Sequence, residues 1–147
     1  MLQFQELTAA QGDCLRRYYE ACDYRLCEYS LGVKLMWRGH LNPSFAEEAG
    51  CLIVRNCIEG EYVFDYPIVG EGGDPEGALC AIEAWCAETG TPLVLSVVPE
   101  DKAQVLCLRY PRCRVISERP WKDYLYRTEE LAAFAGRRYS GQRNHIN

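Results

Sequence analysis

The chain ends in a basic, polar segment, "GRRYSGQRNHIN", over residues 136–147. This segment holds three arginines and no acidic residue, whereas the whole chain carries 16 Lys+Arg against 21 Asp+Glu. Guanidinium groups bind phosphate and carboxylate, and a neighbouring aromatic ring can stack on a base. The segment therefore predicts an anion-binding surface, for which the candidates are Arg137, Arg138, Tyr139, Arg143, Asn144 and His145. The alternative is an interdomain linker whose arginines pair with acidic residues of another domain.

A glycine-rich loop, "GEGGD", occupies residues 70–74, between a predicted strand and a predicted helix. Backbone N–H groups before a helix N-terminus can bind a pyrophosphate, so Gly70, Gly72 and Gly73 are candidate cofactor-binding residues. Two acidic residues of the loop oppose this interpretation, because carboxylates repel phosphate. The alternative is a turn in which the glycines adopt positive φ angles.

The nine cysteines lack the spacing of a zinc site, because no Cys-x-x-Cys occurs and only two histidines are present. No metal site is therefore predicted. Three cysteine pairs are six residues apart, namely Cys51/Cys57, Cys80/Cys86 and Cys107/Cys113. That step places both residues on one face of a strand but not of a helix, so the three pairs share no common geometry. We interpret the cysteines as reduced thiols that pack as small apolar side chains.

A chain of 147 residues with 48% hydrophobic and 25% charged residues predicts one globular domain. The N-terminus lacks the basic start and apolar stretch of a secretory signal, and the apolar run "PLVLSVVP" has the length of a strand. These features predict a cytoplasmic protein, with peripheral membrane association as an alternative. The net charge of −5 argues against extensive binding to nucleic acid.

Hydrophobic periodicity and turn residues predict alternating strands and helices. Thr8 and Gln11 have the spacing of a capping box, and Asp74-Pro75 is typical of a helix start. The strand–helix–strand unit over 61–98 predicts a parallel strand pair in a mixed sheet with helices on both faces. The predicted strands are 2–7, 44–48, 51–57, 61–69, 92–98, 113–117 and 123–127. The first predicted helix begins at Thr8. The other predicted helices cover 29–37, 75–88, 100–109 and 128–135.

This order of elements resembles the GNAT (acyl-CoA N-acyltransferase) fold, an α/β fold with a mixed, twisted sheet. The segment 123–147 resembles a bacterial family related to the C-terminal domain of phosphatidylglycerol lysyltransferases. The likeness lies in Tyr-Leu-Tyr at 124–126, the Leu131–Gly136 helix, and the basic-Tyr-Ser…Arg-Asn-His-Ile-Asn ending. "DYPIVGEGGD" and "PLVLSVVPE" match more weakly but in the same order. Gln142 departs from the family pattern, which has lysine there.

The resemblance implies the N-terminal half of a tandem protein. A GNAT-like domain over 1–135 would be followed by a basic linker over 136–147 that leads to a second GNAT-like half, which this chain does not contain. The whole protein would transfer an acyl or aminoacyl group, from a coenzyme A thioester or aminoacyl-tRNA, to a lipid or another amine or hydroxyl acceptor. The expected partners are the second half, aminoacyl-tRNA or a lipid head group, and a second copy of this chain.

The resemblance also places Glu61, Asp65 and Tyr66 on the strand that would face the acyl donor, as candidate catalytic acid or base. The coenzyme A fingerprint, Arg/Gln-x-x-Gly-x-Gly/Ala, is absent. We therefore expect no cofactor in this half and a supporting role for it. The alternatives are a non-catalytic scaffold or binding module and a small acetyl-CoA-dependent N-acetyltransferase.

Overall fold

The computed structural model describes residues 1–146, without the side chains of residues 142 and 146. The last residue of the basic ending, at position 147, lies outside the described residues. The chain divides into two compact units, Met1–Arg114 and Val115–Asn147. The expected division into a domain over 1–135 and a linker over 136–147 stays a prediction.

The first unit is built on a mixed β-sheet of six strands. The strands are β1 (Gln5–Glu6), β2 (Ser44–Glu48), β3 (Cys51–Ile58), β4 (Glu61–Asp65), β5 (Ile68–Val69) and β6 (Leu95–Ser96). Their order is β1-β2-β3-β4-β6, and β5 also pairs with β3. All pairs are antiparallel except β4 with β6, where the connection through a helix gives a parallel pair. The predicted mixed sheet with one parallel pair is confirmed.

Five helices belong to the first unit: α1 (Gly12–Ala21), α2 (Leu31–Met36), α3 (Arg38–Leu41), α4 (Pro75–Thr89) and α5 (Glu100–Arg109). Short 3-10 helices cover Ala9–Gln11 and Cys27–Tyr29. The predicted capping box is present. The Thr8 side chain accepts from the backbone N–H at the N3 position, and the Gln11 side chain accepts from the Thr8 N–H. Asp74 accepts from the backbone of Glu76 at the start of α4, as predicted.

Both faces of the sheet are buried, which explains why β3 is apolar along most of its length. Leu52 and Val54 belong to a core cluster that includes Leu15 and Tyr18 of α1. Cys51 and Ile53 belong to a second cluster around α4. Because successive side chains of a strand point to opposite faces, the two clusters lie on the two sides of the sheet.

Two predicted strands are shorter than expected for local reasons. The segment 61–69 is interrupted between β4 and β5 at Tyr66-Pro67, where proline has no N–H to donate to a neighbouring strand. The segment 92–98 contributes only β6, because Val97 adopts a left-handed φ of 47° that ends the strand. A β-branched residue is strained in that conformation, so this change of direction has an energetic cost.

The second unit contains α6 (Thr128–Ala133) and α7 (Ser140–Ile146), with 3-10 helices at Arg119–Trp121 and Arg137–Tyr139. The predicted strands 113–117 and 123–127 are wrong, because both segments are irregular and exposed. A strand needs the backbone groups of a neighbouring strand, and the sequence pattern alone does not supply one. The predicted cap at Thr128 is also wrong, since Arg127 occupies the N-cap position and makes no side-chain cap.

Among the described residues, no helix is both long enough and apolar enough to span a membrane.

The nine cysteines are only partly core residues. Cys51 and Cys86 are buried, whereas Cys14, Cys27, Cys80, Cys107 and Cys113 are exposed. The interpretation of the cysteines as apolar packing residues is therefore wrong for the exposed ones.

The loop before α4 lies directly against the β2–β3 turn. Gly70 N–H donates to the Gly50 carbonyl at 3.0 Å, and Asp74 N–H donates to the Ala49 carbonyl at 2.8 Å. A Cβ on Gly73 would lie 2.5 Å from the Gly50 carbonyl oxygen, which is a backbone atom. The absence of a side chain at position 73 therefore allows the two backbone segments to touch.

We predict that Gly73→Ala lowers the free energy of unfolding by about 1–3 kcal/mol, because the added methyl forces two backbone segments apart. Gly39→Ala is the matched control, since a Cβ there meets nothing within 4 Å in α3. Urea denaturation of both variants measures the effect. Equal stability of the two variants would contradict the close-packing role of Gly73.

Candidate functional site

The parallel strands β4 and β6 separate immediately after their last paired residues, Asp65 and Ser96. Beyond this pair, the chain after β4 continues into β5, which pairs with β3. The chain after β6 changes direction at Val97, which has a positive φ. Two parallel strands that diverge leave backbone carbonyl and amide groups without ladder partners. This divergence is the place in the sheet where an extended, amide-bearing ligand would find backbone groups to bind.

Tyr29 lies between the separated strands. Its hydroxyl is 3.0 Å from the Val97 carbonyl oxygen and 3.2 Å from the Tyr66 carbonyl oxygen. A phenol has one proton, so it donates a shared hydrogen bond to the two carbonyls, one from each segment. Burial is the main cause that raises the pKa of the Tyr29 phenol above its ordinary value. Tyr29 therefore stays protonated and serves as a donor to both segments.

A buried ion pair lies next to this position. Lys34 Nζ of α2 is 2.5 Å from Asp65 Oδ2 at the end of β4, and both side chains are 2% exposed. Within the described part of the chain Oδ2 accepts no hydrogen bond of good geometry, so its contact with Lys34 is an ion pair by distance. The Asn56 amide donates to Asp65 Oδ1 at 2.9 Å, and the Ser96 hydroxyl is 3.5 Å from the same oxygen. The Asp65 carboxylate of β4 is thus surrounded by polar side chains from three other elements, namely α2, β3 and β6.

The environment of Asp65 contains opposing electrostatic effects. Burial raises the pKa of the Asp65 carboxyl, while the Lys34 ammonium and the Asn56 amide act to lower it. The Tyr19 phenol is buried without a hydrogen-bond partner among the described residues. Burial, and then the negative charge of Asp65, raise the pKa of Tyr19. These phenols remain neutral around a carboxylate whose charge is balanced by one lysine.

The three candidate acid or base residues have different surroundings. Glu61 is exposed at the start of β4, where it pairs with Ile58 across the hairpin. Asp65 is enclosed in the ion pair, and Tyr66 is buried, with its carbonyl accepting from Tyr29. The structure therefore brings Asp65 and Tyr66 to the strand divergence and leaves Glu61 at the other end of β4.

In the glycine-rich loop, two of the backbone amides that could bind a phosphate donate within the protein. Gly70 donates to Gly50, and Gly73 donates to the Gly70 carbonyl at 3.0 Å. Gly72 is exposed and adopts a positive φ of 66°. The loop therefore has the hydrogen-bonding pattern of a closed turn packed against the 49–50 turn.

The basic ending is partly engaged in local contacts within the second unit. The Arg143 guanidinium donates to the carbonyls of Phe134 and Gly136, which lie at the C-terminal end of α6. Tyr139 is buried, and its hydroxyl donates to Glu130 Oε2 at 2.8 Å. Arg138 lies 3.6 Å from the same carboxylate.

The remaining candidates of the basic ending, Arg137, Asn144 and His145, are exposed. The guanidinium carbon of Arg138 also lies 5.3 Å from the centre of the Tyr139 ring and 5.7 Å from that of Tyr126. Arg138 and the rings of Tyr126 and Tyr139 are thus close together at this end of the chain. A role of these residues in binding an anion stays a prediction.

The sequence pattern did not indicate a site role for Lys34, Asn56 or Ser96. A signal was present, because Lys34 interrupts the otherwise apolar α2, and Asn56 follows Arg55 in a strand that is apolar elsewhere. Polar residues at buried positions generally have partners. The sequence does not show which partner each one has, since the contacts join distant segments.

Comparison with known proteins assigns the chain to a family. The family described as phosphatidylglycerol lysyltransferase, C-terminal, matches residues 19–147. The chain belongs to this family. The matched range includes Tyr29, Lys34 and Asp65 as well as the basic ending, so the resemblance seen in the sequence is confirmed. No curated protein sequence matches the chain significantly.

One solved structure with a similar fold belongs to a longer chain. It is a conserved protein of unknown function from Bacteroides thetaiotaomicron VPI-5482, with 22% identity and a TM-score of 0.87. The similarity covers 100% of the present chain and 49% of the other chain. This phosphatidylglycerol lysyltransferase C-terminal family member therefore spans about half the length of the structure that it matches.

Replacing Lys34 by methionine tests the ion pair. We predict that Lys34→Met lowers the free energy of unfolding by about 3–5 kcal/mol at pH 7, because it leaves a buried carboxylate unpaired. Burial raises the folded-state pKa of Asp65, so the loss is largest at neutral pH and shrinks as pH falls toward the unfolded value of about 3.9. Denaturant titrations at several pH values measure it.

The matched control for Lys34→Met is the double variant Lys34→Met/Asp65→Asn, in which both charges are removed. Its free energy of unfolding should return close to that of the original chain, and the pH dependence caused by Asp65 should be absent. A single variant as stable as the double variant at pH 7 would contradict the importance of the pair.

Removing the Tyr29 hydroxyl tests the link between the separated strands. Tyr29→Phe should lower the free energy of unfolding by about 1–2 kcal/mol, because the buried Tyr66 carbonyl and the partly buried Val97 carbonyl lose their donor. Hydrogen exchange should become faster in β4 and β6. Tyr24→Phe is the control, since that hydroxyl makes one longer contact of 3.4 Å, to the Pro67 carbonyl. Similar losses in both variants would argue against a special role of Tyr29.

Proposed function

We propose that this chain is the supporting lobe of an acyl- or aminoacyltransferase with tandem GNAT-like halves. Membership of the phosphatidylglycerol lysyltransferase C-terminal family supports this class of reaction. The element order and the parallel pair β4–β6 support a GNAT-like fold. On this proposal the acyl donor binds to the other half, and the present chain contributes to the shape of the complete protein.

The observation that carries the proposal is Tyr29 between β4 and β6. The pantetheine arm of coenzyme A is a flexible chain with two amides, and it needs unpaired strand groups for its hydrogen bonds. Here the Tyr66 and Val97 carbonyls accept from Tyr29 instead. A donor would have to displace a buried aromatic ring that also packs at 4.8 Å, edge to face, on Tyr24.

The glycine-rich loop supports the same conclusion. The amides of Gly70 and Gly73 already donate to backbone carbonyls, and Glu71 adds a negative charge at this place. A pyrophosphate there would meet electrostatic repulsion and few available donors. Asp65 then has a structural role in the first unit, because its carboxylate is enclosed and balanced by Lys34.

The exposed apolar residues of the second unit support a partner. Tyr124, Leu125 and Leu131 are 84%, 70% and 40% exposed. Since the matched structure is about twice as long, we propose that a second GNAT-like half of the protein covers these side chains. Self-association of the 147-residue chain in sedimentation velocity would show that a second copy covers them instead.

We further propose that the exposed part of the basic ending contacts an anionic partner, namely the phosphates of aminoacyl-tRNA or a lipid head group. Arg137 and His145 are exposed, and the Arg138 side chain is 65% exposed. Arg143 instead stabilises the end of α6, so its removal would act through folding rather than through binding.

Titration of coenzyme A and acetyl-CoA into the chain tests the function, with calorimetry as the readout. We predict no saturable binding at millimolar ligand, because Tyr29 occupies the strand divergence. Saturable binding would overturn the supporting role and favour a small acetyltransferase. Bulk tRNA and anionic lipid vesicles form two further arms, each measured at two salt concentrations.

The control for these arms separates a local site from net charge. Arg137→Ala/Arg138→Ala should weaken tRNA or vesicle binding, whereas Arg16→Ala/Arg112→Ala removes equal charge from exposed positions elsewhere. The salt slope for tRNA should fall by about one for each phosphate that the variant no longer binds. Equal effects of the two variants would contradict a role of the basic ending.

A further inference from the structure

Two exposed cysteines meet at the end of α5. Cys107 lies in the last turn of this helix, which ends at Arg109. The chain then reverses in a turn closed by a 2.9 Å hydrogen bond from Cys113 N–H to the Tyr110 carbonyl. Pro111 occupies the second position of this turn, which suits its fixed φ angle. The turn brings Cys113 Sγ to 3.9 Å from Cys107 Sγ.

The start of the turn is anchored to α4. Arg109 donates to Glu83 Oε1 through Nε at 2.9 Å and through Nη2 at 2.8 Å, and it also pairs with Glu76. The Tyr110 hydroxyl donates to the same Glu83 oxygen. These contacts fix the end of α5 and the first residue of the turn against α4. The short distance between the two sulfurs therefore results from the backbone path of the turn.

The other exposed thiols have different surroundings. Cys14 Sγ donates to the Gln11 carbonyl, and Cys80 Sγ accepts from Arg109 at 3.3 Å. Within the part of the chain that the structure describes, Cys107 and Cys113 are the pair with a sulfur–sulfur hydrogen bond. Both are exposed, so a small oxidant reaches them without unfolding.

We propose that Cys107 and Cys113 are a dithiol modification site that forms a reversible intramolecular disulfide. A disulfide has a bond of about 2.05 Å, so each sulfur has to move by only about 1 Å. Rotation of two exposed side chains supplies this movement. The bond closes the turn 107–113 onto the end of α5.

The co-reactant is a low-molecular-weight disulfide such as oxidised glutathione. One cysteine loses its proton, and its thiolate attacks a glutathione sulfur and expels one glutathione thiolate. The second cysteine, also deprotonated, attacks the protein sulfur of the mixed disulfide and expels the other glutathione. The two glutathione thiolates take up the two protons. The protein dithiol is oxidised, and one glutathione disulfide is reduced to two thiols.

The experiment equilibrates the chain with glutathione buffers of increasing oxidised fraction, blocks the remaining thiols with N-ethylmaleimide, and maps tryptic peptides. We expect peptide 103–109 joined to peptide 113–114, with a mass about 2 Da below the sum of the two reduced peptides. The linked species should disappear on return to a reducing buffer. Absence of this linkage at every buffer composition would overturn the proposal.

Three variants make the result specific. Cys113→Ser should consume one thiol pair fewer than the original chain, and Cys107→Ser should behave in the same way. Cys14→Ser is the matched control, because this exposed cysteine lies on α1 and has no contact with Arg109 among the described residues, and it should still form the 103–109/113–114 link. Unchanged thiol loss in Cys113→Ser, or a linkage found only in covalent dimers, would contradict the intramolecular site. Circular dichroism checks that each variant is folded.

Discussion

The buried charges of Lys34 and Asp65 constrain the position of α2 on the sheet. Each charge would be strongly unfavourable in the interior without the other, so the helix has to place its lysine over the end of β4. The same placement determines where Tyr29 lies, because this residue comes shortly before α2 in the chain. The Tyr29 hydroxyl then joins the two segments that diverge after β4 and β6. One electrostatic requirement thus determines how the opening in the sheet is filled.

The opposite face of the sheet uses a different kind of stabilisation. Arg55 lies over the rings of Phe4, Tyr62 and Trp85, at 4.1, 4.4 and 5.0 Å from their centres. Burial lowers the pKa of this guanidinium, and its Nε donates to the Ser44 hydroxyl at 3.1 Å. Cation–π attraction to three rings thus accompanies this half-buried cation. The two faces therefore accommodate positive charge in two different ways.

Local sequence signals predicted the elements that depend on nearby residues. The capping box at Thr8 and the N-cap at Asp74 involve atoms within a few residues of each other, and both were correct. The parallel pair followed from chain order. The strands expected over 113–117 and 123–127 depended on partners that a residue pattern cannot show, and they were wrong. The reason is that pairing, rather than side-chain preference, decides whether an isolated segment becomes a strand.

The candidate site shows the same distinction. Asp65 and Tyr66 were singled out because of the strand that carries them, and the structure places them at the divergence. The residues that complete this region, Tyr29, Lys34 and Ser96, come from other segments, so their contacts depend on the tertiary fold. A lysine in an apolar helix is a sign of a buried partner, but it does not identify an aspartate several elements later in the chain.

The distribution of tryptophans gives the chain three distinct optical reporters. Trp85 is 8% exposed among aromatic rings in the core cluster around α4, whereas Trp37, between α2 and α3, is 54% exposed. Trp121 belongs to the second unit and is 67% exposed. In variants that keep one tryptophan at a time, Trp85 should emit at a shorter wavelength in the folded state than Trp37 or Trp121, because only Trp85 is buried. Their fluorescence can distinguish melting of the sheet from rearrangement of the C-terminal unit, which a single global signal would merge.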